Sequence, residues 1–395
     1  MSMLRPAVVI LMLGVLACSV LGDSIFDQNG IGRDVIPATG HTRALAGAVT
    51  ASKDPLACSI LNPFAAAISD KITISTGFSH TGTKTKNVGE ETRTVTTIFP
   101  SVALTVPLKG FSVMTGLFLE KQGRVSLTMR DTAYTHELFD IDYRRESSVH
   151  SVPVLVSAAV VPRLIVSGGI LISFLDIREK TTTDFVSDER VDARDINDTY
   201  AIGKSFAGGF LLDLDRVRLG ALFRTKADLD ATLDRENRYA GIWSSEDFTI
   251  SSDQAFGVGL WVSPAQQVTI EADYHRNPWA DVTIDDIAVT AKRVERWSIG
   301  ASYRGDYLWS ASKYPLVAGY YRQPLAWESD LTGEITEEFW SLGTSIPVGE
   351  DRASISVALE MGRRLAQDTD DLHETIYGLS ISVSASEAWR REIRR

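Results

Sequence analysis

The chain has 395 residues, 44% of them hydrophobic and 23% charged, with a formal charge of −11. That acidity argues against a nucleic-acid partner, because phosphate binding needs net basic surface. The apolar content is too high for a disordered chain, and past the N-terminus no apolar run reaches the roughly 20 residues of a transmembrane helix.

In chain order the first element is an export signal. Arg5 precedes an apolar run from Ala7 to Leu21, followed by small residues, which is the layout of a secretory leader. Cleavage after Gly22 gives a mature chain from Asp23 with one cysteine, Cys58, and therefore no internal disulfide. Val15-Leu16-Ala17-Cys18 is a competing but poor lipoprotein box that would leave Cys18 lipidated. Residues 23–70 then lack strict alternation. They carry Gly30, Gly32, the small-residue stretch Arg43 to Ala48, Asp54-Pro55 and Asn62-Pro63-Phe64. Small residues permit close packing, and prolines fix turns where no ladder bonds are wanted.

From residue 71 onward the period changes to two. Ile355, Val357, Leu359 and Met361 alternate with Ser354, Ser356, Ala358 and Glu360; Tyr377, Leu379, Ile381 and Val383 alternate with Gly378, Ser380, Ser382 and Ser384. Such alternation is the mark of strands between two unlike environments. It predicts fourteen strands, at 71–79, 96–106, 111–122, 149–161, 164–177, 200–213, 216–226, 249–262, 267–275, 294–304, 315–324, 338–346, 353–362 and 374–385. Short connections at 107–110, 162–163, 214–215, 263–266 and 347–352 alternate with long polar stretches at 123–148, 178–199, 227–248 and 276–293.

Short turns at one end and long loops at the other predict an all-β fold, a transmembrane antiparallel β-barrel of about 14 strands. In a bilayer every backbone amide needs a partner, so the sheet must close. The predicted organisation is a leader (1–22), an N-terminal hatch or plug (23–70), the barrel (71–389) and a basic tail (390–395). Fourteen strands enclose a lumen wider than the packed interior of an eight-stranded barrel, which residues 23–70 are placed to fill; a peptide capping the barrel from outside is the alternative. Tryptophans at 243, 261, 279, 297, 309, 327, 340 and 389 fall mostly near strand ends, as an interfacial girdle would. Trp261 is on the inward phase.

Few residues suggest chemistry. Glu271, Asp273 and His275 share one strand face, so an inward acid–base group is geometrically possible, yet polar lining is expected of any barrel and no Gly-x-Ser-x-Gly elbow is present. The six histidines are scattered without ligand spacing. No enzyme, cofactor or metal is therefore expected. Asp184, Asp188, Glu189, Asp192 and Asp195 form an acidic run that is either solvated or meets divalent ions of lipopolysaccharide. At Lys121-Gln122-Gly123 the third strand loses its alternation; Gly and charge commonly end strands, and a break for sideways release of a ligand is the other reading.

Gly30-Ile31-Gly32-Arg33, Arg43 to Ala48 and Asp54-Pro55…Asn62-Pro63 resemble the N-terminal hatch of the FadL-like family of long-chain fatty-acid transporters. Phe256 to Pro264 followed by Glu271-Ala272-Asp273-Tyr274…Asn277-Pro278-Trp279 looks like that family's strand–turn–strand, and 299–304 with 314–321 like its next hairpin. The resemblance implies a hatch-gated outer-membrane channel for hydrophobic molecules, with gating residues at Gly32, Arg33, Gly47, Asn62, Pro63 and Phe64. It also implies partners in outer-membrane lipid, lipopolysaccharide and a hydrophobic small molecule. Three positions depart from the pattern. Phe64 stands where Ala is usual, Val317 where a basic residue is common, and the chain ends in Arg394-Arg395 rather than an aromatic residue. Related PorV-type barrels share this look, so a docking subunit of a secretion or assembly complex is the alternative function.

Overall fold

The computed structural model describes residues 24, 26, 31–54, 57–87, 90–131, 139–185, 193–279, 283–284, 287–288, 294–304, 314–325, 333–348, 352–367 and 372–388. The expected leader (1–22), the expected C-terminal tail (390–395), and Trp309, Trp327 and Trp389 lie outside them.

The alternating segments become fourteen wall strands among the described residues. These are β1 (Lys71–Asn87), β2 (Glu90–Ile98 and Ser101–Leu108), β3 (Phe111–Asp131), β4 (Phe139–Val161), β5 (Leu164–Phe185), β6 (Ala193–Asp213), β7 (Val217–Arg224 and Ala227–Asn237) and β8 (Ile242–Ser252 and Ala255–Ala265). They continue with β9 (Val268–Arg276 and Thr283–Ile284), β10 (Ile287–Ala288 and Glu295–Tyr303), β11 (Leu316–Pro324), β12 (Ile335–Val348), β13 (Ala353–Ala366) and β14 (Leu372–Ala388). Each pairs antiparallel with the next. β14 pairs back onto β1, from Lys71↔Ala388 to Asn87↔Leu372, which closes the sheet.

Burial follows the alternation. On β5, Val166, Ile170, Ile172 and Phe174 are exposed whereas Leu171, Ser173 and Leu175 are buried. Apolar side chains facing out around a closed wall are the lipid face of a membrane barrel. Leu164 to Phe174 is eleven residues, which at ~3.3 Å rise and ~45° tilt spans about 25 Å of hydrocarbon. No helix among the described residues is long and apolar enough to cross a membrane; the strands cross it instead. Aromatic rings collect at the edge of the band, with Tyr274 against Trp297 (centroids 4.6 Å apart) and Tyr320 against Trp340 (5.4 Å). Tyr321, one residue on, faces inward and donates its hydroxyl to Glu337. Trp261 is inward and lies under the Arg218 guanidinium, 3.7 Å from its ring centroid. Trp243 stands exposed on a hairpin tip and Trp279 is buried in the lumen, so neither belongs to the girdle.

The expected long loops are mostly strand. β3 runs on to Asp131 and β4 begins at Phe139, so the end anticipated at Gly123 is absent; β5–β6 and β7–β8 extend likewise. Above the apolar band these ladders stand in water, where no apolar outer face is needed and cross-strand charge pairs take its place. Arg124–Glu146 (2.6 Å) and Arg178–Asp198 (3.2 Å) are two such pairs. Inside, Leu175, Ile196, Leu229 and Ala231 are buried.

The N-terminal segment touches the inner face around most of the wall. Helix α1 (Gly40–Ala44) packs on β11 to β14, and α2 (Ala65–Ile68) on β2 to β4. Wall glycines make room: a Cβ on Gly319 would come within 2.6 Å of the Ala46 amide nitrogen.

Candidate functional site at a seam in the wall

β2 is broken at Phe99-Pro100, where proline offers no N–H to continue a ladder. Its lower piece pairs with β3 up to Ser101↔Phe118, while its upper piece pairs with β1. The Leu119 N–H to Pro100 carbonyl bond, 2.9 Å, is the last between the two strands. One residue later β3 shifts register against β4, between Leu119 and Lys121, leaving Glu120 as a β-bulge. Above this point β2 and β3 diverge, and the wall has a seam.

The N-terminal segment meets the seam from inside. Arg33 pairs with Gln122 and Asp34 with Lys121. The Val35 N–H donates to the Glu120 carbonyl at 2.8 Å and the Ser24 N–H to the Arg124 carbonyl at 3.1 Å. Gly32, with φ +85°, lets the chain lie directly on the Gln122–Gly123 backbone. The Lys121 ammonium is buried and reaches Asp34 Oδ1 (2.9 Å) and the Gly32 carbonyl (3.3 Å). The irregularity expected at Lys121–Gly123 and residues Gly32 and Arg33 of the N-terminal segment therefore lie against each other.

Two hollows flank the bulge. Outside, a pocket of about 460 Å³ is lined by Phe99, Leu119, Gln122, Gly123, Arg124 and Tyr200, among others. Inside, a cavity of about 120 Å³ lies between the N-terminal segment and the wall, with Leu61, Leu155, Leu171 and Leu222 beside Glu120, Arg224, His275 and Arg296. Glu120 lines the inner hollow while its neighbours Leu119 and Gln122 line the outer one.

Several buried charges inside the lumen are paired, as burial favours. Arg224 Nη1 donates to both oxygens of Glu120 (2.9 and 3.0 Å), Trp279 Nε1 donates to Oε2 (2.7 Å), and the Ser151 hydroxyl donates to Oε1. Trp279 reaches this carboxylate because β9 breaks at Asn277-Pro278, turning the chain inward. Further round, Asp273 Oδ2 accepts from the Val49 and Thr50 N–H groups, both at 2.8 Å. Thr50 Oγ1 meets His275 Nε2 (3.0 Å) and the Ser52 hydroxyl donates to Glu271 (3.3 Å). The inward carboxylates and histidine of β9 thus anchor the N-terminal segment. Arg364 spans Glu337 (2.7 Å) and Glu374 (2.6 Å), and Ser24 donates to Glu374.

The other sequence-derived positions lie along the same segment. Gly47, φ +80°, turns the chain beside the Arg296 guanidinium. Asn62 Nδ2 donates to the Ser52 carbonyl (2.9 Å), and the Pro63 carbonyl accepts from Ser157. Phe64 is fully buried with Ala51, Ile165, Leu211 and Trp261, a ring-sized site that accounts for the departure from alanine. Glu120 and Arg224 carried no expectation from the sequence, and Trp279 was expected in the interfacial girdle rather than on the Glu120 carboxylate. Glu120 follows Leu117-Phe118-Leu119 as an acid interrupting an apolar strand, the one signal that could have pointed to it.

Comparison with known proteins agrees with this architecture. A Pseudomonas aeruginosa FadL homologue superposes with TM-score 0.61 at 13% identity, covering 91% of this chain and 100% of that one. The Ralstonia pickettii toluene transporter TbuX gives 0.60 at 16% identity, with 88% and 97% covered, and the P. putida toluene transporter TodX gives 0.55 at 15%, with 90% and 99% covered. At these identities the shared property is the fold, a closed barrel like that of the FadL homologue. No curated protein matches the sequence. The profile of the family described as BamG matches residues 3–394, and the chain belongs to that family.

Proposed function

We propose that this BamG-family barrel is an outer-membrane conduit for hydrophobic molecules, exported by its cleaved leader and gated by the N-terminal segment acting as a hatch. The observation that carries this reading is the pair of hollows on either side of the Glu120 bulge. The outer one opens beside Phe99 at the upper edge of the lipid-facing band; the inner one is walled by leucines. A hydrophobic solute leaving the outer pocket would pass once the Arg33–Asp34 ladder and the flanking Val35–Glu120 and Ser24–Arg124 bonds move aside. Sideways passage of this kind involves no covalent chemistry. The neighbours named for toluene and FadL-type transport support the solute class, a small apolar molecule or a long-chain fatty acid.

The test is a lock. Arg33→Cys with Gln122→Cys places two thiols on a cross-strand pair. Proteoliposomes carrying the oxidised variant should take up labelled toluene or oleate more slowly than wild type, with recovery on reduction. Equal flux with and without the lock removes the gate; flux no faster than in protein-free vesicles removes the conduit.

A second reading, a docking subunit of an assembly complex, is favoured by one feature. The β7–β8 hairpin carries Tyr239, Ile242 and Trp243 at 66%, 60% and 69% exposure on its tip, well above the lipid-facing band.

A further inference from the structure

The seam leaves two strand edges without a ladder between them. Among the described residues, Glu90–Ile98 pairs with β1 alone, and β3 above Arg124 pairs with β4 alone. A bare edge is a template for another strand. Natural walls blunt such edges with proline or inward charge; Gly123-Arg124-Val125-Ser126-Leu127-Thr128 has no proline and turns Val125 and Leu127, not charges, toward the lumen. We propose that this seam is a strand-accepting slot, in which an extended segment of a second polypeptide adds to the upper edge of β3 by backbone pairing.

Three observations support an extended peptide rather than a lipid chain. First, the edge already accepts one: the chain's own Arg33–Asp34 pairs with it, and Ser24 bonds to the Arg124 carbonyl. Second, because backbone groups alternate sides along a strand, the Arg124 carbonyl facing the seam places the N–H and C=O groups of Ser126 and Thr128 on the same side. An acyl chain satisfies none of these groups, whereas a strand satisfies them all. Third, the pocket at the foot of the seam keeps Thr97, Ile98 and Phe99 apart from Gln122, Gly123 and Arg124, so there is room between the edges.

Side chains define the occupant. Its inward positions would meet Val125, Leu127 and Ile98, and its outward positions Ser126, Thr128 and Arg93. The slot therefore fits an alternating segment, apolar on one face and hydroxyl-bearing or acidic on the other, of the kind that β-barrel polypeptides themselves contain. This inference is independent of small-molecule passage.

The experiment uses the full chain in detergent micelles and a fluorescein-labelled peptide of alternating Thr and Val, eight residues long, read by anisotropy. The wild type should bind it. The same peptide N-methylated on alternate residues, which blocks one edge, should bind about tenfold or more weakly, as loss of several hydrogen bonds of about 1 kcal/mol requires. Ser126→Pro removes a seam-facing N–H without touching the β4 ladder and should weaken binding similarly, while Ser126→Ala should not. Absence of wild-type binding overturns the proposal. So does equal binding of methylated and unmethylated peptide, or displacement by phosphatidylglycerol with no methylation effect, which would mark a lipid slot. Where Ser126→Pro fails to fold, the methylated peptide against wild type decides alone.

Discussion

Gly32 and Gln122 touch backbone to backbone: a Cβ built on Gly32 would lie 2.4 Å from the Gln122 carbonyl carbon. This contact seats the two-residue ladder that holds the N-terminal segment against the seam. A side chain at Gly32 would meet both a positive φ, costing an L-residue about 1–2 kcal/mol, and that overlap. Gly32→Ala should therefore detach Arg33–Asp34 while leaving the barrel folded. Hydrogen exchange at the Val35 amide, bonded to the Glu120 carbonyl, should accelerate, and trypsin should cleave after Arg33 sooner. Unchanged exchange would show the ladder to be incidental.

The Glu120–Arg224 pair gives a second prediction. Removing one partner of a buried ion pair leaves the other charge uncompensated, typically at about 3–5 kcal/mol, whereas replacing both with apolar residues is often near neutral. Glu120→Ala should lower the unfolding midpoint in detergent markedly and shift Trp279 emission, because the indole N–H loses its acceptor. The double variant Glu120→Leu, Arg224→Leu should be closer to wild type than either single change. Additive losses would contradict a coupled pair.

Cys58 offers a probe of how the N-terminal segment is seated. Burial against Met114, Leu155 and Leu171 pushes its thiol from an ordinary 9.0 up to about 12. Only the thiolate alkylates, so iodoacetamide at pH 8 should leave Cys58 unmodified in the folded chain and label it on unfolding. The raised value means the folded state holds its proton more tightly. Its contribution to stability is complete below pH 9 and is lost as pH climbs toward 12. Asp273→Ala removes the acceptor of the Val49 and Thr50 amides, at about 1–3 kcal/mol per orphaned group, and should raise the labelling rate of Cys58 without unfolding the wall. An unaltered rate would mean the β9 carboxylate does not anchor the segment.

The lipid face can be tested at Ile170, which is 42% exposed in the middle of the apolar band of β5. In a bilayer, Ile170→Arg should cost about 2–4 kcal/mol, as charged substitutions at the midplane of barrels do. Asp230→Arg, above the band, should stay within about 0.5 kcal/mol. Equal effects at both sites would place the band elsewhere.

Much of the wall was legible in the residues. Alternation locates all fourteen strands, because a strand between lipid and a polar lumen repeats its chemistry every two residues and this period needs no knowledge of neighbours. Even Trp261, odd as a girdle residue, was readable as inward. Strand ends were less legible. Above the band both faces of β3 to β8 meet water or a modest inner core, so the apolar alternation fades while the hydrogen-bonded ladder continues.

The sequence by itself determined the period, the strand count and the small-residue character of the segment that touches the inner wall. Only the tertiary structure decided that Gly32–Arg33 comes to rest on Lys121–Gly123, that Glu120 bulges between two hollows, and that Arg224 and Trp279 converge on it from 104 and 159 residues away. Those contacts depend on register and closure, which set what lies across the lumen. Local periodicity carries no trace of either, because a strand's own alternation is the same whichever partner it faces.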